Sequence, residues 1–266
     1  TTEIYTLSLH DALPIYSNRK GIGTIGDANW LMFDYNRGYT TDLEASGIAD
    51  IFRLPKFAYY FYQSQRPPDE ILNPPLVSGP MVNIANYWNE KSATDITVFS
   101  NCQEVCLYLN GTLISRQKPT IDKYSDHLPF PPFVFKVENF VPGELKAVGF
   151  MDGKAVAENV VKTPGQPVGL KVEVDLSGIP VSRDFPDILI VHASVVDATG
   201  TVCPDASGVV EFSVNGQAML IGENPAPVKA GIASILLRTE AFVQPVEIRA
   251  VANGLKEGSF LLRAGR

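Results

Sequence analysis

The chain has 266 residues, 45% hydrophobic and 19% charged, which is apolar enough for sizeable cores and argues against disorder. A net charge of −7 gives no support for a nucleic-acid or anionic-membrane partner, and no apolar run reaches the ~18 residues of a membrane helix. The length suits two compact units plus a remnant, and 21 glycines with 20 prolines suit many short strands joined by turns.

Residues 1–15, TTEIYTLSLHDALPI, break in composition at Tyr16, carry no basic leader region and resemble a translated sequencing-adapter fragment. They are expected to be foreign to the fold, with a native N-terminal segment missing. In residues 16–66, the apolar run at 28–33 predicts a strand buried on both faces, as in a parallel sheet. A loop over 34–47 follows. Pro55 opens a helix that runs through 56–64 and is closed by Pro67 and Pro68. Residues 67–80 read as a Pro-rich linker.

From 81 to 162 the pattern changes to short strands, at 97–99, 105–109, 113–114, 133–137, 144–150 and 155–161. Asn110-Gly111 is a hairpin signal, and Pro142-Gly143 and Asp152-Gly153 mark further turns. After a second linker at 163–167, residues 168–266 repeat the rhythm, with strands at 170–176, 188–197, 209–214, 231–238 and 246–253. The fold class is therefore mainly β: two tandem immunoglobulin-like β-sandwiches preceded by one strand–loop–helix unit.

Cys102, Cys106 and Cys203 form neither a disulfide framework nor a zinc ribbon. Three packed thiols are favoured over a Cys102–Cys106 disulfide across a turn. The histidines at 10, 127 and 192 are scattered, so no metal or cofactor is expected. Glycines 21, 23 and 26 precede the apolar run instead of following a strand, which rules out a dinucleotide fingerprint. Asp27, Asp34, Asp42, Glu44 and Asp50 are carboxylates of the type a glycosidase holds ~5–5.5 Å or ~6.5–9.5 Å apart. Turn-forming side chains are the simpler reading of them. Trp30 fits either a core or one wall of a sugar site, where its flat face packs on a pyranose. Asp34, Tyr35, Asn36 and Arg37 supply polar groups directly after it, at the strand edge where barrel enzymes keep their active sites.

Three ordered groups of strings carry a family resemblance. Trp30-Leu31-Met32-Phe33-Asp34-Tyr35-Asn36-Arg37-Gly38, then Gly47-Ile48-Ala49-Asp50, then Arg53-Leu54-Pro55-Lys56-Phe57-Ala58-Tyr59-Tyr60-Phe61-Tyr62-Gln63-Ser64-Gln65 resemble the end of the catalytic barrel in glycoside hydrolase family two, β-galactosidase-like members in particular. Asn101-Cys102-Gln103-Glu104-Val105-Cys106-Leu107-Tyr108-Leu109-Asn110-Gly111 resembles its accessory sandwich. Val195-Val196-Asp197-Ala198-Thr199-Gly200, Phe212-Ser213-Val214-Asn215-Gly216 and Ile221-Gly222-Glu223-Asn224-Pro225 resemble its C-terminal immunoglobulin-like domain.

The resemblance implies that 16–66 is the last strand–loop–helix of a (β/α)8 barrel, 81–162 an accessory β-sandwich and 168–266 a C-terminal sandwich. It implies a parent enzyme that hydrolyses terminal β-galactosides or related oligosaccharides with retention, without a cofactor. A homo-oligomeric parent is compatible with it, and a periplasmic or secreted location is favoured over a cytoplasmic one. Trp30, Asp34 and Arg37 are the implied substrate-binding residues. Both catalytic glutamates of the family lie upstream of this region, so the chain holds no catalytic residue and is expected to be inactive alone. The alternative is a non-catalytic carbohydrate-binding or adhesion-type tandem module, which has no reason to begin with a sugar-type Trp and a closing helix. Trp30, Phe33, Phe57, Tyr60 and Phe61 are expected to await barrel neighbours, leaving 16–66 mobile or aggregation-prone beside two folded sandwiches.

Overall fold

The computed structural model describes residues 30–265, so the leader at 1–15 and the glycine-rich stretch at 21–26 lie outside the described residues. The chain divides into two units between Thr163 and Pro164.

The N-terminal unit begins with a two-stranded ribbon, β1 (Tyr35–Asn36) with β2 (Leu43–Glu44), followed by the helix α1 (Phe57–Ser64). Its sandwich comprises β5 (Val82–Ile84), β6 (Asp95–Ser100), β7 (Glu104–Leu109), β8 (Thr112–Gln117), β9 (Phe133–Lys136), β10 (Glu144–Met151) and β11 (Lys154–Lys162). One sheet runs β5-β6-β9 and the other β11-β10-β7-β8, with every pairing antiparallel. Asn110 and Gly111 both sit at positive φ, +50° and +79°, and Asp152 and Gly153 repeat this at +49° and +77°. Such primed turns match the twist of the strands they join, which is why these dipeptides set the β7–β8 and β10–β11 hairpins. Alternation does the rest: Leu145 and Ala147 point inward while Lys146 faces out. Ile84, Ile96, Val98, Val105, Leu107, Phe133 and Phe135 close the core around Trp88. The Trp88 indole N–H donates to the Val141 carbonyl at 2.9 Å, so its one polar atom is satisfied in the interior.

Two expectations for this unit are corrected. The stretch at 67–80 is not a bare linker: Ile71–Asn73 (β3) and Leu76–Val77 (β4) pair as a short hairpin. The helix does not wait for barrel neighbours, since Phe61 is fully buried against Phe99 and Leu128 of the sandwich, with Phe57 and Tyr60 packed around them. Gln65 donates through Nε2 to the Phe130 carbonyl at 2.8 Å. Asn101, itself buried, donates to the carbonyls of Arg66 and Gly79 at 3.0 Å each and accepts from the Met81 amide at 2.8 Å. One asparagine thereby moors both ends of the hairpin segment on the sandwich.

The C-terminal unit contains β12 (Gly169–Asp175), β13 (Ile188–Val196), β14 (Val209–Asn215), β15 (Ala218–Ile221), β16 (Ala226–Pro227), β17 (Ile232–Thr239), β18 (Val246–Val251) and β19 (Gly258–Leu262). Sheets ordered β12-β13-β17-β15 and β16-β14-β18-β19 enclose a core that includes Val191, Ala193, Val210, Phe212, Ile235, Leu237 and Ile248. Asp197, after β13, is buried and four-fold bonded. It accepts from the Gly165 amide at 2.7 Å, the Thr199 amide and hydroxyl at 2.8 Å, and the Thr201 amide at 2.9 Å. Those donors, the Gly165 amide first among them, hold its carboxyl down at about 2. Cys102, Cys106 and Cys203 are all buried free thiols.

Candidate functional site

The segment that carries the implied sugar residues is built from three short pieces of chain. Ile48 and Ala49 donate their amides to the carbonyls of Leu31 and Met32 at 3.1 and 3.0 Å, and Asp34 donates back to Ala49 at 3.1 Å. This makes a parallel bridge between Phe33 and Ala49, and an antiparallel one joins Ala49 to Pro55. The buried two-faced strand expected at 28–33 is therefore corrected within the described residues. Positions 30–33 make one parallel bridge and leave Trp30, Met32 and Phe33 71%, 48% and 37% exposed.

Asp34 and Lys56 lie at the junction of the three pieces. Both are 4% exposed. Asp34 Oδ1 accepts from Lys56 Nζ at 2.7 Å and from the Gly47 amide at 2.9 Å, and Lys56 Nζ also donates to the Ala45 carbonyl at 2.9 Å. Burying two charges is costly unless each is matched and hydrogen-bonded, and here both are. Lys56 is extended (φ −88°, ψ 172°) immediately before α1, and its side chain makes no capping bond to the helix. Gly47 has no room for a side chain: a Cβ would lie 2.3 Å from Asp34 N and 2.6 Å from Ala49 O.

Asp34 thus sits inside the segment, its Oδ1 shared by the Lys56 ammonium and the Gly47 amide. Arg37 lies at the end of the β1–β2 ribbon, paired with Glu44 and partly exposed. Trp30 is open to solvent, with Tyr35 edge-on at a centroid distance of 6.3 Å and an interplanar angle of 79°. Asp50 folds its own turn: its Oδ1 accepts from the Phe52 and Leu54 amides at 2.9 and 2.8 Å, while burial raises its carboxyl above the ordinary value. Arg53 lies 5.6 Å from the centre of the Phe33 ring. Among the described residues no group of three or more His, Cys, Asp or Glu side chains is arranged to hold a metal ion.

Residues 170–260 match the family described as glycoside hydrolase family 2 C-terminal domain 5, and residues 91–157 match a domain of unknown function, DUF4982. The chain belongs to glycoside hydrolase family 2. This family 2 chain is 34% identical over 251 residues to a β-galactosidase of Thermoanaerobacter pseudethanolicus, covering 88% of the chain and 32% of that protein. It is 30% identical over 246 residues to a β-glucuronidase of Formosa agariphila, covering 90% and 23%. A solved β-glucuronidase from glycoside hydrolase family 2 superposes with a TM-score of 0.72 at 27% identity, covering 98% of this chain and 28% of that one. The chain therefore spans about a third or less of the length of the relatives it matches.

Lys56 and Gly47 are the site residues that sequence reading passed over as participants. Lys56 stands 22 positions from Asp34. The one available signal is a lysine placed directly before the helix, where a cation opposes the positive end of the helix dipole.

Proposed function

We propose that this family 2 chain is part of a retaining exo-glycosidase that removes terminal β-galactosides, and that Trp30 supplies one wall of its sugar pocket. The observation that carries the reading is Trp30 itself, a large aromatic side chain left 71% exposed at the head of an otherwise hydrogen-bonded segment. Such a face suits the apolar side of a pyranose. Arg37, at the ribbon end, is the polar neighbour that donates to sugar hydroxyls. Asp34 acts through the backbone it holds. Arg37 is matched by the Glu44 carboxylate, which suits a neutral sugar better than a uronate. The 34% identical β-galactosidase supports the same choice.

Retaining hydrolysis needs one carboxylate as nucleophile and a second carboxyl group that gives and then takes a proton. Asp34, Glu44 and Asp50 are engaged in the ion pairs and turn that build the segment, so the chain alone is not expected to turn over. The catalytic pair belongs to the family's barrel outside this sequence.

The test is a graft. The chain replaces the matching third of the Thermoanaerobacter β-galactosidase, and the hybrid and the isolated chain are assayed with aryl β-galactoside, β-glucuronide and β-mannoside. Turnover of the galactoside by the hybrid and none by the chain alone is expected. A folded but inactive hybrid, or turnover by the chain alone that disappears in Asp34→Ala, would overturn the reading.

A further inference from the structure

The buried Asp34–Lys56 pair connects the exposed Trp30 to a helix whose far half is anchored in a sandwich core. Lys56 is the residue before α1, and Phe61 of α1 is sealed against Phe99. The Lys56 backbone amide donates to the Ile48 carbonyl at 3.0 Å, and Ile48 donates to the Leu31 carbonyl at 3.1 Å, one residue from Trp30. The Lys56 ammonium adds a second tie to the same two pieces, through Asp34 at 2.7 Å and the Ala45 carbonyl at 2.9 Å. Gly47 completes the junction, because any side chain there would collide with the backbone of Phe33 and Asp34.

From this we infer that Lys56 and Asp34 are positioning residues: they clamp the Trp30 segment to the helix, and so to the sandwich, and thereby fix where the aromatic wall stands. The accessory sandwich then has a defined role, as the fixed frame against which the sugar-facing tryptophan is set. A cation inside this junction is not needed for the sandwich core, which closes without it. What it does is replace solvation by two oriented contacts, which with the Gly47 amide on Asp34 hold one arrangement of three chain pieces in place of many. The catalytic consequence rests on the proposed sugar-wall reading; the mechanical one does not.

Two readouts separate them. In the full chain, Lys56→Met keeps the stem and removes the charge, while Asp34→Asn keeps the shape and an acceptor for the Gly47 amide. Both variants should exchange the Gly47, Ile48 and Ala49 amides at least about ten-fold faster than wild type, with the exchange of core amides such as Val105 and Leu107 unchanged. In the grafted enzyme, Lys56→Met should lower kcat/KM on aryl β-galactoside by about ten-fold or more, mainly through KM. Combined with Trp30→Ala, it should add no further loss, since it acts through Trp30.

Wild-type exchange in both variants would overturn the clamp. So would faster exchange that spreads equally through the sandwich core, which marks loss of fold. Losses in kcat/KM that add to those of Trp30→Ala would overturn its action through Trp30. If Trp30→Ala leaves the hybrid unaffected, the sugar-wall reading fails, while the exchange data still judge the clamp.

Discussion

Phe61 of α1 and Phe99 of β6 meet edge to face, ring centroids 5.5 Å apart and planes at 70°, and solvent reaches neither ring. This contact joins the segment that resembles a barrel end to the sandwich that follows it. Edge-to-face packing adds to the burial of two aromatic side chains, so the joint is an integral part of the N-terminal unit. Phe61→Ala should destabilise that unit by about 3–5 kcal/mol, the usual loss for a buried Phe with its cavity. Thermal unfolding followed by Trp88 emission would show it, with the C-terminal unit unaffected. A loss below about 1 kcal/mol would mean that the helix contributes little to the sandwich.

Gly47→Ala should loosen the Trp30 segment. The added methyl would lie 2.3 Å from Asp34 N, 2.5 Å from Phe33 C and 2.6 Å from Ala49 O, all backbone atoms that cannot swing aside. Overpacking of this kind costs about 1–3 kcal/mol. Limited proteolysis between 38 and 53 should speed up in the variant, and an unchanged cleavage pattern would contradict the geometry.

Where a signal was local, the sequence was readable. Asn110-Gly111 and Asp152-Gly153 announced two hairpins because only a few residue types accept the positive φ those turns require. Alternating apolar residues mark β10 by their period, and a near-continuous apolar run marks β13. The hairpin at 71–77 was hidden: Pro68, Pro74 and Pro75 lie in or beside it, and prolines mark a connection in most contexts. β15 and β19 carry weak alternation and were missed. At the site, Trp30 was legible as an aromatic beside polar groups. The role of Asp34 was not, because its partners Gly47 and Lys56 meet it only after the chain has turned back twice. Phe61 was assigned a barrel neighbour since no periodicity tells which surface an apolar face will meet.

The Asp197 carboxyl gives a pH signature. Its folded value of about 2 lies below its ordinary 3.8, so its contribution is fully present above the ordinary value and is lost as pH falls through the folded one. Asp197→Asn should therefore destabilise the C-terminal unit at pH 7, by about 1–2 kcal/mol given hydrogen bonds to a charged acceptor. The gap to wild type should close between about pH 4 and pH 2. Denaturant titrations at a series of pH values measure this, and a gap that widens on acidification would contradict the assignment.

The thiols should be protected. Cys102, Cys106 and Cys203 are buried, and burial pushes the Cys102 and Cys203 thiols above their ordinary range, which lowers the reactive thiolate fraction. A thiol reagent at pH 8 should label none of the three rapidly in the native chain and all three after unfolding. Fast native labelling of Cys102 would contradict its burial.

The most direct test of the sugar-wall account is the effect of Trp30→Ala on the grafted enzyme. One aromatic face contributes on the order of 1 kcal/mol, so kcat/KM for aryl β-galactoside should fall by about five- to ten-fold, with the hybrid's thermal midpoint unchanged. An unaltered kcat/KM in a folded Trp30→Ala hybrid would contradict the claim that this chain lines the sugar pocket.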